Sequence, residues 1–172
     1  MRLLKNDEFF EYLTNLVLNA KYNIILDFYV IDISSQKVKE LMNIITLKKT
    51  ELDNLFIYVG GVEDVDALYT NCFLYFMYKK SLDKSLVFLK KQSHSKLALV
   101  DNVLVLGSHN LTDSSSENIS VALKINIDEK KNLMKYLMTK EKMEEDLVET
   151  LCKTVTIRRP SRRKSPYNLF VK

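Results

Sequence analysis

The sequence is short of the residues that usually interrupt or cross-link a chain: three glycines, two prolines and two cysteines among 172 residues. It also lacks any run approaching the ~18–20 uncharged apolar residues that a membrane-spanning helix needs. With 47% hydrophobic and 28% charged residues, the composition excludes collagen-like, mucin-like and largely disordered chains. The length suits one domain that can bury a substantial core, with room for a short tail. The first eight residues, Met1 to Glu8, turn acidic where a signal peptide would carry its apolar stretch. The chain therefore reads as cytoplasmic.

Cys72 and Cys152 are far apart, and no other cysteine or histidine lies near either at metal-ligand spacing. The expectation is two buried free thiols, with no metal site and no cofactor. Both prolines, Pro160 and Pro166, fall near the C-terminus. Residues 153–172 hold seven basic side chains, among them Arg158, Arg159, Arg162, Arg163 and Lys164, and no acidic one. Residues 1–152 hold 19 basic and 22 acidic side chains, so the basic character belongs to the tail. This divides the chain into a domain over 1–152 and a flexible basic arm over 153–172. Such an arm suits a polyanion such as nucleic acid or an anionic surface, or serves only solubility.

Hydrophobic periodicity predicts helices over 6–20, after Ser34-Ser35, over 64–80 and over 128–151. Apolar, β-branched runs predict strands over 22–31, 55–59, 85–90, 96–100, 103–106 and 119–125. The order implies an α/β domain, a mixed β-sheet flanked by helices. The apolar residues of 68–77 are expected in the core or an interface. No internal repeat is visible.

Both histidines lie within residues 94–109. Alternation on a strand sends His94 and Lys96 to one face, and Ser108 and Asn110 to one face of the next strand. Asp101-Asn102 is good turn chemistry for joining the two. An imidazole, an ammonium, a hydroxyl and a carboxamide together suit a phosphate: Lys96 supplies charge, Ser108 and Asn110 donate, and His94 attacks or protonates. Gly107 allows a close backbone approach. His109, between Ser108 and Asn110, is expected to point the other way into the core.

His94-x-Lys96, then Asp101 and Gly107-Ser108-x-Asn110, resembles the signature of the phospholipase D superfamily. Glu117 resembles the downstream acidic residue that orients the histidine in small members. The resemblance implies a layered α/β/α domain and, because this chain has one motif copy, a homodimer with two His94 side chains across a twofold axis. It implies a phosphohistidine formed at one His94, a leaving oxygen protonated by the other, and no metal. Lys96, Ser108 and Asn110 would stabilise phosphoryl charge and Glu117 would fix the His94 tautomer. Asp101 is assigned to catalysis less firmly, since a turn residue can be purely structural.

The sequence departs from the family in one respect. Five residues separate Asp101 from Gly107, one fewer than the usual pattern. A two-residue loop at Asp101-Asn102 would turn Ser108 and Asn110 away from His94, so a three-residue loop or a bulge is expected. Three functions fit: a non-specific nuclease, a phospholipid-cleaving phosphodiesterase, and a non-catalytic dimeric nucleic-acid-binding or assembly module. The nuclease is favoured, with DNA or RNA as partner and membrane binding not expected.

Overall fold

The structure is a computed structural model and describes residues 1–113 and 118–158. Seven strands among these residues form one mixed sheet: β1 (Arg2–Lys5), β2 (Asn23–Phe28), β3 (Asn54–Val59), β4 (Leu86–Phe88), β5 (Lys96–Val100), β6 (Val103–Gly107) and β7 (Ile119–Lys124). Their spatial order is β1-β7-β6-β5-β2-β3-β4. The contacts β2·β3 and β3·β4 are parallel and all others antiparallel. The layered α/β domain expected from the sequence is what forms.

Among the described residues five α-helices flank the sheet: α1 (Asp7–Asn19), α2 (Gln36–Lys48), α3 (Val65–Leu82), α4 (Ile127–Met138) and α5 (Glu145–Arg158). Helix α1 buries Phe9, Phe10, Leu13 and Val17, the stripe its spacing predicts. Each such side chain contributes ~1.5–3 kcal/mol on leaving water. These four, with Val38, Leu41 and Ile45 of α2, Leu74 of α3 and Val148 of α5, meet Ile24, Leu26, Ala98 and Val100 in the main core. On the opposite face Leu137 of α4 packs on Ile25, Tyr58 and Leu99. Helix α4 covers only part of that face. The strands β1, β7 and β6 leave Leu3, Ile119 and Leu106 exposed on it by 52, 47 and 37%.

Four expectations are corrected. First, β1 was not foreseen: its four residues bury one side chain, Leu4, too little for a periodic signal. Second, the helix expected over 128–151 is two. Residues between α4 and α5 pair with the end of β4, with Lys90 N–H donating to Glu141 O and Met143 N–H to Phe88 O. Helix α5 then runs on to Arg158, past the expected start of the arm.

Third, Cys72 and Cys152 are not free thiols but a disulfide, joining α3 to α5 with Cα atoms 5.2 Å apart. The two helices pack side by side, a contact that sequence separation hides. Fourth, the β5–β6 hairpin closes through the two-residue loop Asp101-Asn102, with Val100 opposite Val103 and Leu97 opposite Leu106. Asp101 adopts φ 51°, the left-handed value that a primed two-residue turn needs at its first central position. Its carboxylate makes that conformation tolerable by accepting from the backbone N–H groups of Lys21, Tyr22 and Asn23 at 3.0, 2.8 and 2.9 Å.

Candidate active site

The parallel strands β2 and β3 end where the chain crosses from β4 to β5. This crossing strap, residues 91–95, lies directly on them. Ser93 N–H donates to Gly60 O at 3.0 Å and Tyr29 N–H to Ser95 O at 3.1 Å. Only glycine fits at position 60, because a Cβ there would stand 2.1 Å from the Ser93 carbonyl oxygen. From the other side Leu111 N–H donates to Val30 O and Asp32 N–H to Leu111 O. The segment 29–32 thus gathers the His94-x-Lys96 segment and the Asn110-Leu111 segment at one end of the sheet.

His94 is exposed on this strap. Its imidazole stacks on the Tyr29 ring, centroids 4.5 Å apart and planes 13° from parallel. Its Nε2 lies 3.2 Å from Nε2 of Gln92, whose amide also donates to the Tyr29 hydroxyl at 3.2 Å. The Lys96 ammonium stands 5.8 Å from the Tyr29 centroid and donates to the His94 carbonyl at 3.1 Å. Partial burial, then the negative charge of Asp64, raise the Tyr29 phenol above its ordinary pKa. Behind the strap, Lys140 donates to Ser93 Oγ and Ser95 Oγ at 3.2 and 3.0 Å while paired with the buried carboxylate of Asp27. A groove of about 390 Å³ opens beside it, lined by Gln92, Ser93, Tyr136 and Lys140 among others.

The remaining expected residues sit differently. Continuing the hairpin register sets Lys96 opposite Gly107, which puts Ser108 on the other face of the sheet. The Ser108 hydroxyl is taken up by β7: it accepts from Ile119 N–H at 2.9 Å and donates to Ile119 O at 3.2 Å. Gly107 serves the same strand contact, since a Cβ there would lie 2.4 Å from Ser120 Cα. Asn110 is half-buried, and its Oδ1 is enclosed with no hydrogen-bond partner among the described residues. Asp101 lies at the far end of β5, about 20 Å along the strand from His94, with its carboxylate engaged by the turn. Burial works to raise its pKa, but the three backbone amides outweigh it and hold the carboxyl below its ordinary value.

His109 is buried, stacked on Phe9 at 4.3 Å, with Nδ1 2.7 Å from Ser120 Oγ. Burial holds it below its ordinary pKa. Glu117, Arg159, Arg162, Arg163 and Lys164 lie outside the described residues, and Arg158 is the last residue of α5. Sequence reasoning missed Tyr29 and Gln92. Gln92 carried a signal, since it stands two residues before His94 as Lys96 stands two after; Tyr29 carried none beyond being an aromatic at a strand end.

No family model and no curated protein matches the sequence. Solved structures do resemble the fold. Phosphatidylserine synthase of Haemophilus influenzae superposes with a TM-score of 0.69 at 10% identity, over 91% of this chain and 42% of that one. This chain therefore spans less than half of that enzyme's length. Nuc, a phospholipase D family member of Salmonella typhimurium, gives a TM-score of 0.57 at 13% identity, over 84% of this chain and 97% of that one. NucT from Helicobacter pylori gives 0.57 at 13% identity, over 83% and 98%. The mixed sheet, its flanking helices and these likenesses agree: the chain has the fold of the phospholipase D superfamily.

Proposed function

We propose that this protein is a phosphodiesterase, and specifically a non-specific nuclease that works through a phosphohistidine at the twofold axis of a homodimer. The observation that carries the reading is the exposed His94, held beside Lys96 at the end of the parallel strands of this fold. The neutral imidazole of one His94 attacks phosphorus, and the bond to the leaving oxygen breaks. The partner subunit's His94, as imidazolium, gives that oxygen its proton. Water then attacks the phosphohistidine, its proton passes to the partner subunit's His94, and the P–N bond breaks. Lys96 stabilises the phosphoryl oxygens, with Glu117 as orienter and Asn110 as a further donor, because beyond β6 the chain leaves the hairpin register and Leu111 bonds to Val30 and Asp32 at the His94 end. The sequence reading gave Ser108 and Asp101 catalytic roles; the bonds to Ile119 and to the Lys21–Asn23 amides favour structural ones.

Two observations support a pair of copies. One motif supplies one histidine, and the mechanism uses two. The half of the sheet that α4 leaves open carries exposed Leu3, Leu106 and Ile119, with Leu106 and Ile119 near the His94 end. Nucleic acid is favoured as substrate by the seven basic side chains of residues 153–172.

A non-catalytic binding or assembly module is the second reading, favoured by the Ser108 hydroxyl being spent on β7. Cleavage of phospholipid is the third, kept in view by the likeness to a phosphatidylserine synthase. The test offers the protein labelled single- and double-stranded DNA and RNA, and separately phospholipid vesicles, all with excess EDTA. Cleavage of nucleic acid that is lost in His94→Ala supports the nuclease. Release of headgroup alone supports the lipid enzyme, and salt-dependent binding without turnover supports the module.

A further inference from the structure

The Tyr29 ring and the Gln92 amide form a support for His94 that lies outside the recognised motif. The negative charge of Asp64 acts on the Tyr29 phenol, and the same carboxylate caps α3 by accepting from Asp66 and Ala67 N–H at 2.9 Å each. The Gln92 amide nitrogen donates to the Tyr29 hydroxyl and stands 3.2 Å from His94 Nε2; an amide NH₂ can only donate, so His94 Nε2 is the acceptor of that pair. Nε2 must then be the unprotonated ring nitrogen, so the proton sits on Nδ1. Stacking of the imidazole on Tyr29 holds the ring plane while the amide selects the tautomer.

We propose that Tyr29 and Gln92 are positioning residues which fix His94 as the Nδ1–H tautomer and present the Nε2 lone pair as the attacking atom. The catalytic consequence rests on the phosphodiesterase reading; the tautomer itself does not. Phosphate entering the site displaces the Gln92 amide from Nε2 and finds the ring already aligned.

The chain holds only two histidines, so long-range ¹H–¹⁵N spectra of the full-length protein resolve both rings. Above pH 8, His94 should show a protonated-type Nδ1 and an unprotonated-type Nε2, with its ring protons shifted upfield by Tyr29. Gln92→Leu should draw the two nitrogen shifts together. Tyr29→Phe should keep the upfield shift and lose part of the nitrogen separation; Tyr29→Ala should lose both. His109, in the core, serves as the internal check, and its signals should not move.

An Nε2–H tautomer in the wild type, or His94 signals unchanged in Gln92→Leu and Tyr29→Ala, would overturn the proposal. If cleavage is observed, Gln92→Leu should lower kcat ~10–100-fold with KM little changed; an unchanged kcat would overturn the functional half. Absence of any cleavage together with the expected spectra would remove the catalytic reading and leave the positioning intact.

Discussion

The ammonium of Lys140 rests on the carboxylate of Asp27 directly beneath the segment that carries His94. Asp27 is fully buried and the Lys140 side chain only 13% exposed. Removing one partner strands the other charge away from water. Lys140→Met should therefore cost ~3–5 kcal/mol in urea unfolding. Joint replacement with Asp27→Leu should recover much of that loss, because no buried charge then remains. A loss below ~1 kcal/mol in the single variant would show that the pair carries little weight.

The Asp101 carboxylate should make the fold acid-sensitive. Its pKa is lower folded than unfolded, so its stabilising contribution is complete above the unfolded value, near pH 4. That contribution fades as pH falls through the folded pKa. Asp101→Asn should reduce stability at pH 7 and flatten the decline measured between pH 5 and pH 2. It should leave the cleavage rate of the folded fraction little changed, since the side chain works on the turn.

His109 should act in the same direction for a different reason. Burial depresses its pKa, so below about pH 6.5 the unfolded chain takes up a proton that the folded one resists. Stability is then lost progressively as pH falls toward the folded pKa. Thermal unfolding at pH 7 and pH 5 should show a smaller difference for His109→Gln than for the wild type. An equal difference would mean that His109 does not contribute.

The Cys72–Cys152 disulfide should hold α5 against α3. Replacing both cysteines by alanine should cost ~2–5 kcal/mol, chiefly by freeing the unfolded chain. Amide exchange should quicken most in α5. Uniform quickening, with no excess in α5, would count against a tether confined to that helix.

Most of the fold was legible because its signals are local. The apolar run at β2 is buried on both faces of the sheet, and the stripes of α1 and α2 match the residues they bury. What was not legible depends on partners distant in sequence. Strand β1 exists through β7, and the break between α4 and α5 through the end of β4. The disulfide requires two helices to meet.

The hairpin shows how a correct parity argument can rest on a wrong loop. The choice between two and three residues was settled by Lys21, Tyr22 and Asn23, whose amides capture Asp101. At the candidate site, the motif positions His94, Lys96 and Asn110 can be read from spacing, and Gln92 from its place two residues before His94, but the stacking of Tyr29 on His94 cannot. A ring stacked across two segments leaves no spacing to read.

A phosphohistidine on His94 can be trapped chemically. Labelled single-stranded oligonucleotide would be mixed with the protein, the reaction quenched in base within its first turnovers, and the peptides identified by mass. The expected result is a base-stable, acid-labile adduct on His94 that His94→Ala abolishes. Cleavage proceeding with no adduct, or with an adduct on another residue, would contradict it.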